Sequence, residues 1–276
     1  MKKLFIIPIC LLFIIGCDSE SPLENQAELI VIRGYLYANE PVTDIQITST
    51  LPLGTEETSA PPITDAVVYL MKEGIRYDLA PSQGDGGYYH YAGYDLTVET
   101  DDVFDIVVED NGNTATGSTQ VPEPPANVRS SGNTLYIPEF ETFEDMFEFE
   151  FDSNRHQITV DWEEDEDALF FVVMENLDAN PDSIESMGGF GGGMRGRFFI
   201  SEPSNENSYS VNFRTVSYYG RYNIRVYRVN QEYADLYTSR QQDSRDLNEP
   251  LTNINNGLGI FSAFNSREVF INVVRE

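Results

Sequence analysis

Apolar residues along this chain recur mostly at every second position, which is the spacing of half-buried β-strands. The pattern predicts strands over 29–37, 45–48, 66–70, 87–91, 103–108 and 114–121. Between the last two, Asp110-Asn111-Gly112-Asn113 holds an Asn-Gly pair, the residues that a tight hairpin turn demands. In the second half a strand is expected near Leu135. Another is expected over 147–152, where Phe and acidic residues alternate, and further strands over 158–162, 169–174, 209–213, 222–229 and 268–274. One stretch departs from the rule. Over 231–243 the apolar side chains Tyr233, Ala234, Leu236 and Tyr237 fall closer to helical spacing, so one short helix is expected there. Short strands at even spacing, separated by turn residues, predict an all-β chain of two β-sandwich domains.

The N-terminus follows a different pattern. Met1-Lys2-Lys3 precedes an uncharged apolar run from Leu4 to Ile15, then Gly16 and Cys17. A positive start, a short apolar core and a small residue describe a secretory signal. The run is well short of the roughly 20 residues that span a bilayer. A cysteine directly after the small residue resembles the bacterial lipobox, in which the thiol is acylated and becomes the new N-terminus. Cys17 is therefore expected to carry lipid, palmitate included, and to anchor the protein to a membrane. Residues 18–27 are polar, contain Pro22 and lack periodicity, as a flexible tether does. The expected organisation is a signal over 1–16, the lipidated Cys17 and tether over 17–27, and a first sandwich over 28–121. A linker over 122–134 follows, and then a second domain over 135–276 with a Gly-rich insertion near 187–197.

Charge narrows the partners. The chain carries a formal net charge of −29, and cleavage before Cys17 removes Lys2 and Lys3 as well. A field of that sign repels nucleic acid, so no nucleic-acid partner is expected. Cys10 leaves with the signal and Cys17 is taken by lipid, which leaves no disulfide and no thiolate metal site. His90 and His156 stand far apart in sequence, and no cofactor is expected. Asp161, Glu163, Asp165 and Asp167 are a candidate calcium set. Their order lacks the Asp-x-Asp-x-Asp-Gly of an EF-hand and adjacent carboxylates diverge, so a solvated hairpin loop is the expectation. The Gly-rich stretch lacks the Gly-Lys-Ser/Thr ending of a phosphate loop. Its Met187, Phe190 and Met194 are adaptable apolar groups suited to a partner contact. The tyrosines of 87–94 offer faces to a sugar ring, or alternate along a strand, and the strand is expected. The chain has no Gly-x-Ser-x-Gly, no His-Glu-x-x-His and no cysteine nucleophile, and nothing marks out a pair of hydrolytic carboxylates. A non-enzymatic protein is expected.

Resemblances add to this reading. Ile32-Arg33-Gly34, residues 65–70 and Gly87-Tyr88 are similar to the small transthyretin-like or carboxypeptidase-regulatory sandwich. Trp162, Phe170-Phe171 and Tyr222-x-Ile224-x-Val226 resemble a fibronectin type III domain, in fold only. The stretch 250–264, Pro-Leu-Thr-Asn-Ile-Asn-Asn-Gly-Leu-Gly-Ile-Phe-Ser-Ala-Phe, resembles the C-terminal signature of the domain-of-unknown-function 4249 family of Bacteroidota lipoproteins. The lipobox, Arg33-Gly34, Thr64-Asp-Ala-Val-Val68, Gly86-Gly-Tyr88 and Val121-Pro122 agree with it. Within that signature Gly257 and Gly259 suit a tight turn or close backbone approach. Leu258, Ile260 and Phe261 are expected to plug a sandwich before the last strand. The resemblance implies an outer-membrane lipoprotein without established activity, frequently encoded beside a TonB-dependent receptor. Asp18 and Glu20 after the lipidated cysteine resemble a surface-export signal, which favours the cell surface over the periplasmic face. Elsewhere an Asp in this position marks inner-membrane retention. The role implied is an accessory subunit of a TonB-dependent uptake system, with a surface adhesion or matrix lipoprotein as the alternative and an acidic hydrolase behind both.

Overall fold

The computed structural model of the protein describes residues 28–43, 45–51, 58–84, 86–140, 143–163, 168–184, 196–239 and 252–276. Cys17, Asp165, Asp167, Met187, Phe190 and Met194 lie outside the described residues. The first sandwich is built from β1 (Ile30–Tyr37), β2 (Ile45–Ser49), β3 (Val67–Lys72), β4 (Ile75–Pro81), β5 (Tyr88–His90), β6 (Val103–Asp110) and β7 (Asn113–Gln120). Alternate residues of these strands turn inward, and Ile32, Leu36, Ile45, Ile47, Leu70, Phe104 and Ile106 form a core closed to water. The β6–β7 turn has Asn111 at φ 47° and Gly112 at φ 81°, the two positive values that fit the twist of a two-residue hairpin. The β3–β4 turn repeats the device at Glu73 and Gly74.

The second sandwich holds β8 (Ala126–Ser130), β9 (Thr134–Ile137), α1 (Phe143–Glu148), α2 (Ser153–His156), β10 (Gln157–Glu163), β11 (Leu169–Asn176), β12 (Phe198–Ile200), β13 (Ser208–Asn212) and β14 (Gly220–Val229). The sheet β13-β10-β8 faces the sheet that runs β12-β11-β14 into the last strand. Trp162 packs on Phe170 with ring centres 5.5 Å apart, and Ile158, Val160, Val211, Ile224 and Val226 complete the core. Tyr222 Oη donates to the carbonyl of Tyr218 at 3.0 Å, the link that pins a tyrosine corner. A helix, α3 (Gln231–Ser239), follows β14 where helical spacing predicted one; β15 (Ile254–Asn255) and β16 (Leu258–Arg275) close the chain.

Four expectations change. Residues 147–152 do not form a strand: α1 covers Phe143–Glu148, and α2 begins behind Asp152, whose side chain accepts the Asn154 N–H. Glu144 and Asp145 in the first turn of α1 favour a helix start there. Phe149 packs on the His156 ring at 4.8 Å and on Phe213 at 5.9 Å rather than into a sheet. The segment expected as a linker contains β8 and opens β9, which pair with β10 and β16.

The last strand is also longer than its apolar pattern indicated. From Leu258 to Phe264 β16 runs parallel to β1, and from Phe264 to Val273 it runs antiparallel to β14. Residues 254–264, expected in the second domain, therefore belong to the first, where Ile254, Phe261 and Ala263 are core. Ile271 and Val273 of the same strand lie in the second core. Phe264 is the point of transfer, paired with Tyr37 on one side and Val229 on the other. Next to it, buried Asn265 donates to Thr100 Oγ1 at 3.0 Å and to the Pro122 carbonyl at 2.9 Å. That amide ties the crossover to the first sandwich.

Candidate ligand-binding cleft

Because side chains alternate along a strand, residues between the core positions of β1, β11, β14 and β16 share the opposite sheet face. Tyr35 and Tyr37 alternate with Leu36, Phe171 and Val173 with Val172, and Asn223, Arg225 and Tyr227 with Ile224 and Val226. Phe198 and Ile200 of β12 and Tyr233 of α3 wall this face, enclosing a cavity of about 300 Å³. Helix α3 is held there by polar contacts. Glu232 Oε1 accepts from Thr119 Oγ1 and Ser262 Oγ, each at 3.2 Å. Just before the helix, Asn230 Nδ2 donates to the Gln120 carbonyl at 2.8 Å.

Aromatic rings make the walls. Phe171 and Tyr227 stack at 4.8 Å, while Phe264 stands nearly perpendicular to Phe171 at 5.8 Å and to Tyr233 at 4.9 Å. Tyr37 meets Tyr227 edge-on at 6.0 Å. Such pairs contribute about 0.5–1.5 kcal/mol each beyond the area they bury. They give the cleft a rigid lining.

The polar groups are few and specific. Arg225 Nη1 donates to Glu40 Oε1 at 2.8 Å and to Tyr227 Oη at 3.1 Å, and Nη2 donates to Glu268 Oε2 at 3.2 Å. Burial works against the Arg225 charge, but the hydrogen bond with Tyr227 and those with Glu268 and Glu40 outweigh it, and its pKa is raised. Asn223 Nδ2 donates to Glu268 Oε2 at 2.9 Å, which fixes the amide orientation. Asn223 Oδ1 is then hidden from solvent without a donor among the described residues. Glu175 stands directly across the strand pair from Asn223 and is exposed at the mouth.

Burial pushes the Tyr227 phenol above its ordinary value of 10.0, and it does the same to Tyr89 and Tyr222 in the two cores. The folded protein holds these protons more tightly than the unfolded chain. Their contribution is therefore complete below pH 10 and is lost as pH rises through the folded values. From neutral pH these three phenols should leave the melting temperature unchanged up to about pH 10 and lower it above that. Part of the tyrosinate absorbance should appear only with unfolding, and full ionisation of all sixteen tyrosines before unfolding would contradict the burial of these hydroxyls.

The candidates from sequence that are among the described residues lie elsewhere. Asp161 pairs with Arg129 at 2.6 Å, and Glu163 is exposed at the end of β10. Among the described residues no three metal-ligating side chains come together. Of the tyrosines over 87–94, Tyr89 is core, and Tyr91 donates to Asp95 at 2.5 Å, a bond that raises its pKa to about 12. Tyr94 is wholly exposed. None lines the cleft.

Side-chain hydrogen bonds tie the 252–261 segment together. Asn253 Oδ1 accepts the Phe261 N–H at 2.9 Å and its Nδ2 donates to the Phe261 carbonyl at 2.6 Å, so one side chain takes both hydrogen-bonding positions of a neighbouring strand. Thr252 Oγ1 donates to the Gly259 carbonyl at 2.8 Å. Gly259 has φ 104° and lies against the Ile32 backbone, where a side chain has no room. The segment is a clamp that seats β16 on β1.

Two β-sandwiches joined through one shared strand, with an aromatic cleft on the sheet face behind both cores, define the class of this protein. The chain belongs to the family described as Domain of unknown function (DUF4249), whose model matches residues 18–269. No curated protein matches it. Among solved structures, domains A168-A170 from titin are 11% identical with a TM-score of 0.23, covering 90% of this chain and 66% of that one. A structure concerning host cell surface retention of a 1.5-MDa bacterial ice-binding adhesin is 14% identical with a TM-score of 0.21, covering 91% and 67%. This chain thus spans about two thirds of the length of each, and likeness at that level carries no statement about function. Among the described residues no helix is long and apolar enough to cross a membrane.

Proposed function

We propose that this protein is a lipid-anchored binding protein of the outer membrane, facing the cell surface, that serves as an accessory subunit of a TonB-dependent uptake system. The observation that carries the reading is the aromatic cleft. It has a preformed lining, a size at the lower end of small-ligand sites and a small set of polar groups in place to orient a guest. The Gly16-Cys17 junction supports the anchor, because two or three acyl chains at about 0.8 kcal/mol per buried methylene make detachment negligible. A tethered body with a ligand cleft suits the capture of a small molecule next to a transporter. Affinity purification of the intact protein from membranes dissolved in mild detergent tests this role. A β-barrel receptor recovered in stoichiometric amount is the expected result. Recovery of the protein alone would point instead to a surface adhesion or matrix role.

A further inference from the structure

We infer that the cleft takes a small organic cation bearing N–H donors, an alkylammonium or guanidinium group on an apolar stem. This rests on reading the cleft as the ligand site. The first support is the balance of charge. Arg225 stands between Glu40 and Glu268, whose carboxylates offset its charge, and three of its N–H groups are committed to Glu40, Tyr227 and Glu268. Glu175 is left at the mouth with no ion-pair partner among the described residues. The net charge facing a guest is therefore negative, on a chain whose overall charge is −29.

The second support is the kind of hydrogen bond on offer. Glu175 accepts only, and Asn223 Oδ1, opposite it on β14, is an acceptor hidden from solvent with no donor among the described residues. A guest that brings donors into the cleft would match these acceptors, and one strong enough to displace the Asn223–Glu268 bond would free the amide to turn its Oδ1 to the guest, whereas an anion would add another acceptor and repulsion from Glu175. The third support is the walls. Stacked Phe171 and Tyr227, with Tyr37 and Phe264 around them, suit an apolar stem, and aromatic faces attract cations when water is excluded. A neutral polyol would use the rings and the acceptors but gain nothing from the charge.

The test uses the intact protein in a polyoxyethylene detergent, which presents neither a sugar nor an ammonium group. Phenethylammonium and butylguanidinium are titrated by calorimetry beside 2-phenylethanol, phenylacetate and methyl glucoside. The cations should bind at least about tenfold more tightly than 2-phenylethanol, and phenylacetate should not bind. Glu175→Gln, an exposed and nearly isosteric change, should weaken cation binding by about fivefold or more and leave 2-phenylethanol unchanged. Asn223→Leu, which removes the acceptor, should weaken the cations likewise. Equal or tighter binding of 2-phenylethanol or methyl glucoside would overturn the cation assignment while leaving the cleft as a ligand site. Cation binding indifferent to both substitutions would place it on the acidic surface and overturn the inference. If no compound binds, the cleft reading falls with it.

Discussion

Gly259→Val should cost about 4 kcal/mol or more, a large part of the roughly 5–15 kcal/mol that holds a domain together. Two effects add at this residue. The backbone sits at φ 104°, a region that a β-branched residue enters at a cost of about 1–3 kcal/mol. A side chain there also runs into the carbonyl of Ile32, and β1 cannot step aside because β2 holds its other edge. The strand must then part from β1. That draws Phe261 out of the first core and breaks the Asn253 clamp. Because β16 also carries Ile271 and Val273 of the second core, both sandwiches should weaken together. Urea unfolding followed by Trp162 fluorescence measures the loss, since Trp162 lies in the second core. Gly132→Ala is the control: nothing lies within 4 Å of a Cβ there, so it should stay within about 0.5 kcal/mol of the parent. A Gly259→Val protein that unfolds with its parent would contradict the parallel seating of β16 on β1.

Cys17→Ser should abolish membrane attachment altogether. An oxygen at that position gives no thioether for the diacylglyceryl group, and without acylation the mature body has no other apolar segment near spanning length. One acyl chain holds a protein only marginally and two or three hold it firmly, so the effect is a switch rather than a gradual loss. Palmitate labelling should vanish and the protein should move to the soluble fraction, still folded. Its cleft should keep the ligand preference of the anchored form, because the cleft lies wholly within residues 35–264. An unlabelled variant that still sediments with membranes would place the attachment somewhere other than lipid.

The strands that the sequence predicts best are those with one wet and one dry face. β6, β7 and β10 alternate cleanly, and Asn111-Gly112 marks its hairpin by chemistry alone. β8 leaves only Val128 half-buried against the second core, so its apolar signal is too thin to see. β4 keeps a single buried residue, Leu79, and reads as loop for the same reason. The Phe-Glu alternation over 147–151 fails in the opposite direction. Its spacing suits a strand, yet Phe147 is 76% exposed and Phe149 packs at a tilt on His156, so periodicity gave a face without saying what would cover it.

The cleft was harder still. Its residues come from β1, β11, β12, β14, β16 and α3, and they become neighbours only because β16 passes from one sandwich to the other. A local signal was nonetheless present. Asn223, Arg225 and Tyr227 alternate with core residues, and Tyr35 and Tyr37 flank Leu36, so a face expected to be solvated carries aromatic rings. The charged triad of Glu40, Arg225 and Glu268 joins residues 185 and 43 positions apart in sequence, a separation that no spacing rule reaches.

Anchoring at Cys17 is tested most directly by the mass of the N-terminal peptide of the mature protein purified from its own membranes. The peptide should begin at Cys17 and carry the mass of a diacylglyceryl group, with a further acyl chain on the new amino terminus. A mature chain that begins elsewhere, or that bears an unmodified Cys17, would contradict the lipid anchor and the membrane-bound binding role built on it.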